Sequence, residues 1–216
     1  MNLDKEKKDI LKEIANIGAG NAATAFSTMV DQKIDITVPR IELMPIEDLP
    51  EITGDQEDYI SCTLINFEGE ISGKILLVLE MQVVEKVLHL LFREGELPED
   101  EIQNSALREL GNILSGAYLK AINIFSNLNL SQGLPAVAYD MAGAVLSSSV
   151  IDFNQSDDEI ILLETEFIIS DEKLELYYFF IPEEESIDIF FQHLMGDNLI
   201  SVEQKEERKT IVKMGD

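Results

Sequence analysis

At the start of the chain, apolar residues fall at Ile10, Leu11, Ile14 and Ile17, then at Ala22, Ala25, Phe26 and Met29. Steps of three and four gather them on one stripe of a helix, so the pattern predicts a long amphipathic helix from Lys5 to about Val30. Ile34, Ile36 and Val38 then alternate with polar neighbours. They predict a strand over Lys33 to Leu43 that Pro39 interrupts, as proline does at a sheet edge or a bend. The acidic stretch Glu47 to Asp58, with Pro50 and Gly54, is predicted as loop. Tyr59 to Phe67 and Glu70 to Leu79 read as two strands turning at Glu68 and Gly69. Val83 to Phe92 reads as a helix, and Arg93 to Glu101 as a connection.

The second half repeats this order. Asn104 to Asn127 is predicted helical and Ala136 to Ser149 extended, with Met141 to Leu146 as core strand. Gln155 to Glu159 reads as an acidic turn, Ile160 to Ile169 and Lys173 to Ile181 as strands, and Ser186 to Met195 as a helix. Residues beyond Asp197 read as a short helix or a frayed charged tail. The repeat also holds residue by residue. Asp9, Glu13, Asn16 and Pro39 recur as Ser105, Glu109, Asn112 and Pro135, 96 residues on. Leu11, Ile14, Ile17, Gly20 and Ala25 recur as Leu107, Leu110, Ile113, Gly116 and Ala121 at the same offset. Duplication explains this economically. The expected fold is α/β of the α+β kind: an internally duplicated, pseudo-two-fold β-sheet with paired long helices carrying both motifs on one face. The expected organisation is a single domain over 1–216, made of repeats at about 1–96 and 97–196 plus the short tail.

Charge narrows the partners. Asp and Glu number 42 against 16 Lys and Arg, a formal charge of -26. Such a surface repels phosphate backbones and anionic lipid, so neither nucleic acid nor membrane is expected; the acidity either serves solubility alone or suits a basic patch on another protein. The lone Cys62 excludes an internal disulfide and a cysteine metal cluster, which fits a reducing compartment. No apolar stretch follows the N-terminal charges as a signal peptide requires, and the longest aliphatic runs, such as Ile75 to Leu79, are far short of the ~20 residues that span a bilayer. A soluble, cytoplasmic protein is expected.

On a helix, Asp9, Glu13 and Asn16 lie on neighbouring parts of one face, with Leu11, Ile14 and Ile17 expected opposite. Glu109 and Asn112 repeat the relation against Leu107, Leu110 and Ile113. An ordinary solvated helix face accounts for a single Glu-x-x-Asn; it does not account for two at a fixed distance from a proline. Asn costs helix propensity of about half a kcal/mol against Ala, so its recurrence needs a reason. A carboxamide is no base near neutral pH, but it donates and accepts, and can hold a water in a chosen direction. Gly18-Ala19-Gly20 is read as helix packing, since it follows no strand and no Lys-Ser/Thr comes after it. His89 and His193 are read as structural, without a third metal ligand.

Glu13-Ile14-Ala15-Asn16-Ile17-Gly18-Ala19-Gly20-Asn21 and Glu109-Leu110-Gly111-Asn112-Ile113-Leu114-Ser115-Gly116 resemble the signature helices of the CheC/CheX/FliY family of chemotaxis phosphatases. Both copies satisfy its pattern of Asp or Ser, Glu, Asn and Pro, and two intact motifs without an added flagellar-switch domain resemble the CheC branch. The resemblance implies a hydrolase acting on the aspartyl phosphate of the response regulator CheY. Asn16 and Asn112 would orient the attacking water, and Glu13 and Glu109 would engage a lysine of the regulator. Asp9 and Ser105 would assist docking or helix packing, and Pro39 and Pro135 would shape the strands. No cofactor of its own is implied; Mg2+ would belong to the regulator. The alternative it implies is chiefly an adaptor that binds and regulates the receptor deamidase CheD, with weak phosphatase activity. Asp140 is then a candidate partner contact, and the assembly is expected to be a monomer or a heterodimer with CheD.

Overall fold

The structure is a computed structural model that describes residues 5–52, 54–93, 95–151, 159–169, 172–183 and 186–196. Its elements run α1 (Lys5–Val30), β1 (Asp35–Pro45), a 3-10 helix (Ile46–Glu51), β2 (Tyr59–Glu68), β3 (Gly73–Glu80), α2 (Met81–Leu91), α3 (Asp100–Ser126), β4 (Ser131–Gln132), β5 (Ala136–Met141), α4 (Ala142–Ser149), β6 (Glu159–Ile169) and β7 (Glu172–Pro182). A last helix, α5, occupies 186–196. The expected turn over Gln155 to Glu159 and the tail after Asp197 lie outside the described residues, apart from Glu159, which begins β6.

The described strands form one antiparallel sheet in the order β1-β6-β7-β3-β2-β4, with β5 also on β2. Exchanging β1 with β4 and β5, β2 with β6, and β3 with β7 turns this order into its own reverse. Each half therefore lends its first strand to the other: β1 pairs with β6, and β5 with β2. β3 pairs with β7 from Gly73↔Pro182 to Val78↔Tyr177 and joins the halves at the centre. Neither half has its own complete sheet, which ties folding of one to the other.

Alternation along the central strands separates two cores. Ile75, Leu77, Leu176, Tyr178 and Phe180 face α1, α3, α2 and α5, together with Phe67 and Phe167. Leu76, Val78, Leu162, Phe179 and Ile181 face the 3-10 helix and α4. Being covered on both faces, β3 reads as a nearly continuous apolar run. Aromatic side chains fill the first core; Phe67 stacks on Phe180 with centroids 4.7 Å apart, and the Tyr118 and Tyr178 rings are 4.5 Å apart. Burial pushes the Tyr118 phenol up to about 12, and its hydroxyl lies 3.5 Å from Thr165 Oγ1.

Two stretches depart from the sequence reading. Ala142 to Ser149 is helical, and Met141, which ends β5, is exposed, so Met141 to Leu146 is not core strand. Its buried residues Ala142, Val145, Leu146 and Ser149 follow helical spacing, and the run was ambiguous because small apolar residues lack a clear period of either kind. Where loop was expected from Glu47 on, a 3-10 helix beginning at Ile46 buries Leu49 together with Ile46. The predicted turn forms around Gly69, whose φ of 153° brings it against the chain: a Cβ there would lie 2.1 Å from the Asn129 carbonyl oxygen. Pro39 falls in the register shift between Thr37 and Arg40 on the edge strand β1. Pro135 sits in the gap between β4 and β5, so the same irregularity splits the second copy in two.

α1 and α3 pack side by side, and their separation is set where Gly18 meets the Tyr118 ring. A Cβ on Gly18 would stand 2.4 Å from Tyr118 Cδ1. The ring is enclosed and cannot swing away, so Gly18→Ala is expected to lower unfolding free energy by about 1–3 kcal/mol through overpacking. Urea denaturation monitored by circular dichroism reads this as a fall in the midpoint at unchanged slope.

Candidate functional site

The buried stripe of α1 is Leu11, Ile14, Ala15, Gly18, Ala19, Ala22 and Phe26. Steps of three and four along that stripe leave Asp9, Glu13, Asn16 and Gly20 exposed on the outer side. Glu13 and Asn16 have no hydrogen-bond partner among the described residues. Ile17, expected on the inner face, is 38% exposed. It follows Asn16 by one residue and Glu13 by one turn, so it lies at the margin of the stripe and gives the polar pair an apolar neighbour.

α3 buries Leu107, Leu110, Gly111, Leu114, Ser115 and Tyr118 and turns Ser105 and Glu109 outward. It sits close on the sheet because Gly111 faces Thr63, whose Cγ2 would be 2.7 Å from a Cβ at that position. Asn112 is half-buried, unlike Asn16. Gln132 Nε2 on β4 donates to the Asn112 side-chain Oδ1 at 2.6 Å and to its backbone carbonyl at 3.1 Å. The two motifs thus share a helical frame and differ in how the Asn is held.

The accessory positions divide. Ser105 Oγ donates to the Glu101 carbonyl at 2.9 Å and accepts from the Arg108 guanidinium at 3.4 Å, so its hydroxyl is spent on its own helix. Asp9 makes no hydrogen bond among the described residues and stays available. Asp140 lies exposed on β5 opposite Ile60, away from both motifs in the sequence pairing, and its Oδ1 accepts the Met141 N–H at 2.8 Å at the start of α4. His193 Nδ1 is 3.1 Å from the Ser126 carbonyl oxygen, and His89 Nε2 lies 4.0 Å from the Glu85 carboxylate. Cys62 is buried in the second core, which pushes its thiol up to about 12. Among the described residues, no three His, Cys, Asp or Glu side chains gather as a metal would require.

What this arrangement offers is positioning. Each outer face presents a carboxylate and a carboxamide one turn apart on a helix whose inner face is locked into a core, the rigid support on which a precisely aimed group depends. Gly20 and Gly116 stand one turn beyond Asn16 and Asn112, and leave the surface beside each carboxamide low. The packing expected of Gly18-Ala19-Gly20 holds for the first two only, since Gly18 and Ala19 are buried and a Cβ on Gly20 would meet nothing within 4 Å. Gln132 had no signal in the repeat, because its counterpart at the 96-residue offset is Ile36.

Comparison with known proteins agrees on the family of folds and motifs. Residues 6–43 match the model of the CheC-like family, and residues 61–154 that of the chemotaxis phosphatase CheX. The chain is 31% identical over 196 residues to the CheY-P phosphatase CheC of Bacillus subtilis (strain 168), covering 88% of this chain and 94% of that protein. It is 32% identical over 120 residues to the flagellar motor switch phosphatase FliY of the same organism, covering 54% of this chain and 31% of that one. The crystal structure of Thermotoga maritima FliY shares the fold at a TM-score of 0.75 and 21% identity, over 91% of this chain and 99% of that one.

Gly20→Ala should act oppositely to a change at Gly18. With open space at its Cβ and a helical backbone, it is expected to raise stability by up to about 1 kcal/mol. Thermal unfolding of the two single variants gives shifts of opposite sign.

Proposed function

The chain belongs to the CheC family, and from that membership we propose that it hydrolyses the aspartyl phosphate of the response regulator CheY. The observation that carries the reading is the pair of outward Glu-x-x-Asn faces, each backed by a buried helix stripe. An acyl phosphate is already reactive toward water, so the enzyme's main task is to place that water in line with the phosphorus. Asn16 and Asn112 would do this from the two faces. Each carboxamide would enter the regulator's phosphorylation site and hold the water through its donor and acceptor atoms. The water attacks phosphorus, the P–O bond to the aspartate breaks, and inorganic phosphate leaves with the aspartate carboxylate restored.

Glu13 and Glu109 would bind a lysine of the regulator and so set the depth at which each Asn enters. Ile17 adds an apolar contact at the first face. Magnesium would belong to the regulator, where it would supply charge to balance the phosphate. The formal charge of -26 favours encounter with a basic surface around that lysine and weakens as salt screens it.

A second protein partner has its own support. Tyr59, Tyr139 and Met141 are exposed on one face of the β2–β5 pair, where Tyr59 lies opposite Met141, and Met81 is exposed at the start of α2. Exposed apolar side chains grouped in this way mark interaction surfaces. We assign the patch to CheD, the partner implied by the resemblance, in a complex of one chain of each. Titration calorimetry with purified CheD is expected to give one-to-one binding that Tyr139→Ser with Met141→Ser abolishes; unaltered binding by that variant would remove the assignment.

For the hydrolysis, decay of 32P-labelled CheY phosphate is expected to accelerate on adding the protein. Asn16→Ala and Asn112→Ala should each slow it. The double variant should lose about a hundredfold, the scale on which misplacement of a reacting group acts, with its circular dichroism spectrum unchanged. Full activity in the folded double variant would exclude the water-positioning role.

A further inference from the structure

The two halves hang the strand after each motif helix in the same way. Ser27 Oγ lies 2.9 Å from the Ile34 backbone nitrogen and 3.2 Å from its carbonyl oxygen. In the second half, the Asn123 carboxamide accepts the Leu130 N–H at 3.0 Å and donates to its carbonyl at 2.8 Å. Ser27 and Asn123 are 96 residues apart, as are Ile34 and Leu130. Shared anchoring gives both following strands one register, so Ile36 and Gln132 occupy corresponding positions. Ile36 is buried in the core under α1 and offers Asn16 no donor. Gln132 reaches Asn112 with two hydrogen bonds.

Those bonds also fix which way each amide faces. A backbone carbonyl only accepts, so the nitrogen of Gln132 must lie on the Asn112 side. Only the oxygen of the Asn112 carboxamide can then face that nitrogen. Its Nδ2 is turned away from Gln132, and one lone pair of Oδ1 is left for a water proton. Gln132 Oε1 is buried without a hydrogen-bond partner, so no competing contact sets its amide the other way. Gly116 lies beside the pair, and a Cβ there would meet Gln132 Nε2 at 3.5 Å, an ordinary contact.

We propose that Gln132 is a positioning residue that presets the Asn112 carboxamide for the hydrolysis assigned above, whereas Asn16 becomes ordered only when the regulator docks. The inference rests on that function. A side chain ordered in advance loses less rotamer freedom on binding, so the second face works as a preorganised site and the first as an adaptive one.

The test isolates the second face in the Asn16→Ala background. There Gln132→Met, which keeps length and removes the donor, is expected to lower kcat about five- to tenfold, the factor of one net hydrogen bond, with KM within about twofold. In the Asn112→Ala background the same change should lose this effect, because it acts through Asn112. An equal fold-loss in both backgrounds, or a rise in kcat in the first, overturns the proposal. Side-chain amide 15N relaxation of the free protein gives a second readout that needs no regulator. Asn112 is expected to show a higher order parameter than Asn16 and to fall to the Asn16 level in Gln132→Met; equal mobility in the unsubstituted protein overturns the clamp. A protein with the clamp but no phosphatase activity would instead remove the function on which the inference rests.

Discussion

The two outward motif faces depend on burial of the inner stripes of α1 and α3 against a sheet that neither half owns. Because β1 completes the second half and β5 the first, the sheet beneath both helices is continuous through the β3–β7 pair. The helices are tied to that surface and to one another by close contacts, Gly18 against Tyr118 and Gly111 against Thr63. Interiors packed at such density have few alternative arrangements, so the outward faces inherit the rigidity of the core. The water-positioning role proposed for the two carboxamides would draw on such a mounting.

Duplication then gives two such mountings, and their equality stops at the backbone. The Ser27–Ile34 and Asn123–Leu130 anchors show that the main chain keeps one geometry in both halves. What differs is the side chain placed under the Asn: an apolar one buried in the core on one side, an amide on the other. Substituting Ile by Gln at one strand position converts part of a core wall into a hydrogen-bonding partner without altering the strand. A pseudo-symmetric fold can diversify its sites in this way at small structural cost, because each change is local to one half.

Much of this was legible in the chain. Helical spacing gave α1 to its described ends, and α3 to within four residues at its start. Alternation gave β1, the runs on either side of the turn at Gly69 and their counterparts in the second half gave the four strands of the two hairpins, and Pro39 marked the bulge in β1. The Glu-x-x-Asn pairs stood out because polar residues repeated where burial did not call for them. Less legible were Ala142 to Ser149, whose small residues suit a strand or a short helix equally, and Ile17, whose apolar character hid its place at the margin of the stripe.

Periodicity alone was enough for the long helices, the main strands, the repeat and the outward direction of Glu13, Asn16 and Glu109, none of which needs a distant contact; it was not enough for α4 or the 3-10 helix. The exchange of first strands, the use of the Ser105 hydroxyl on its own helix, and the hold of Gln132 on Asn112, with no such partner for the Asn16 side chain among the described residues, appear only in the folded chain. The physical reason is range: periodicity says which way a side chain faces, but a hydrogen bond across 20 residues exists only once the loop after α3 has turned back and been anchored at Leu130.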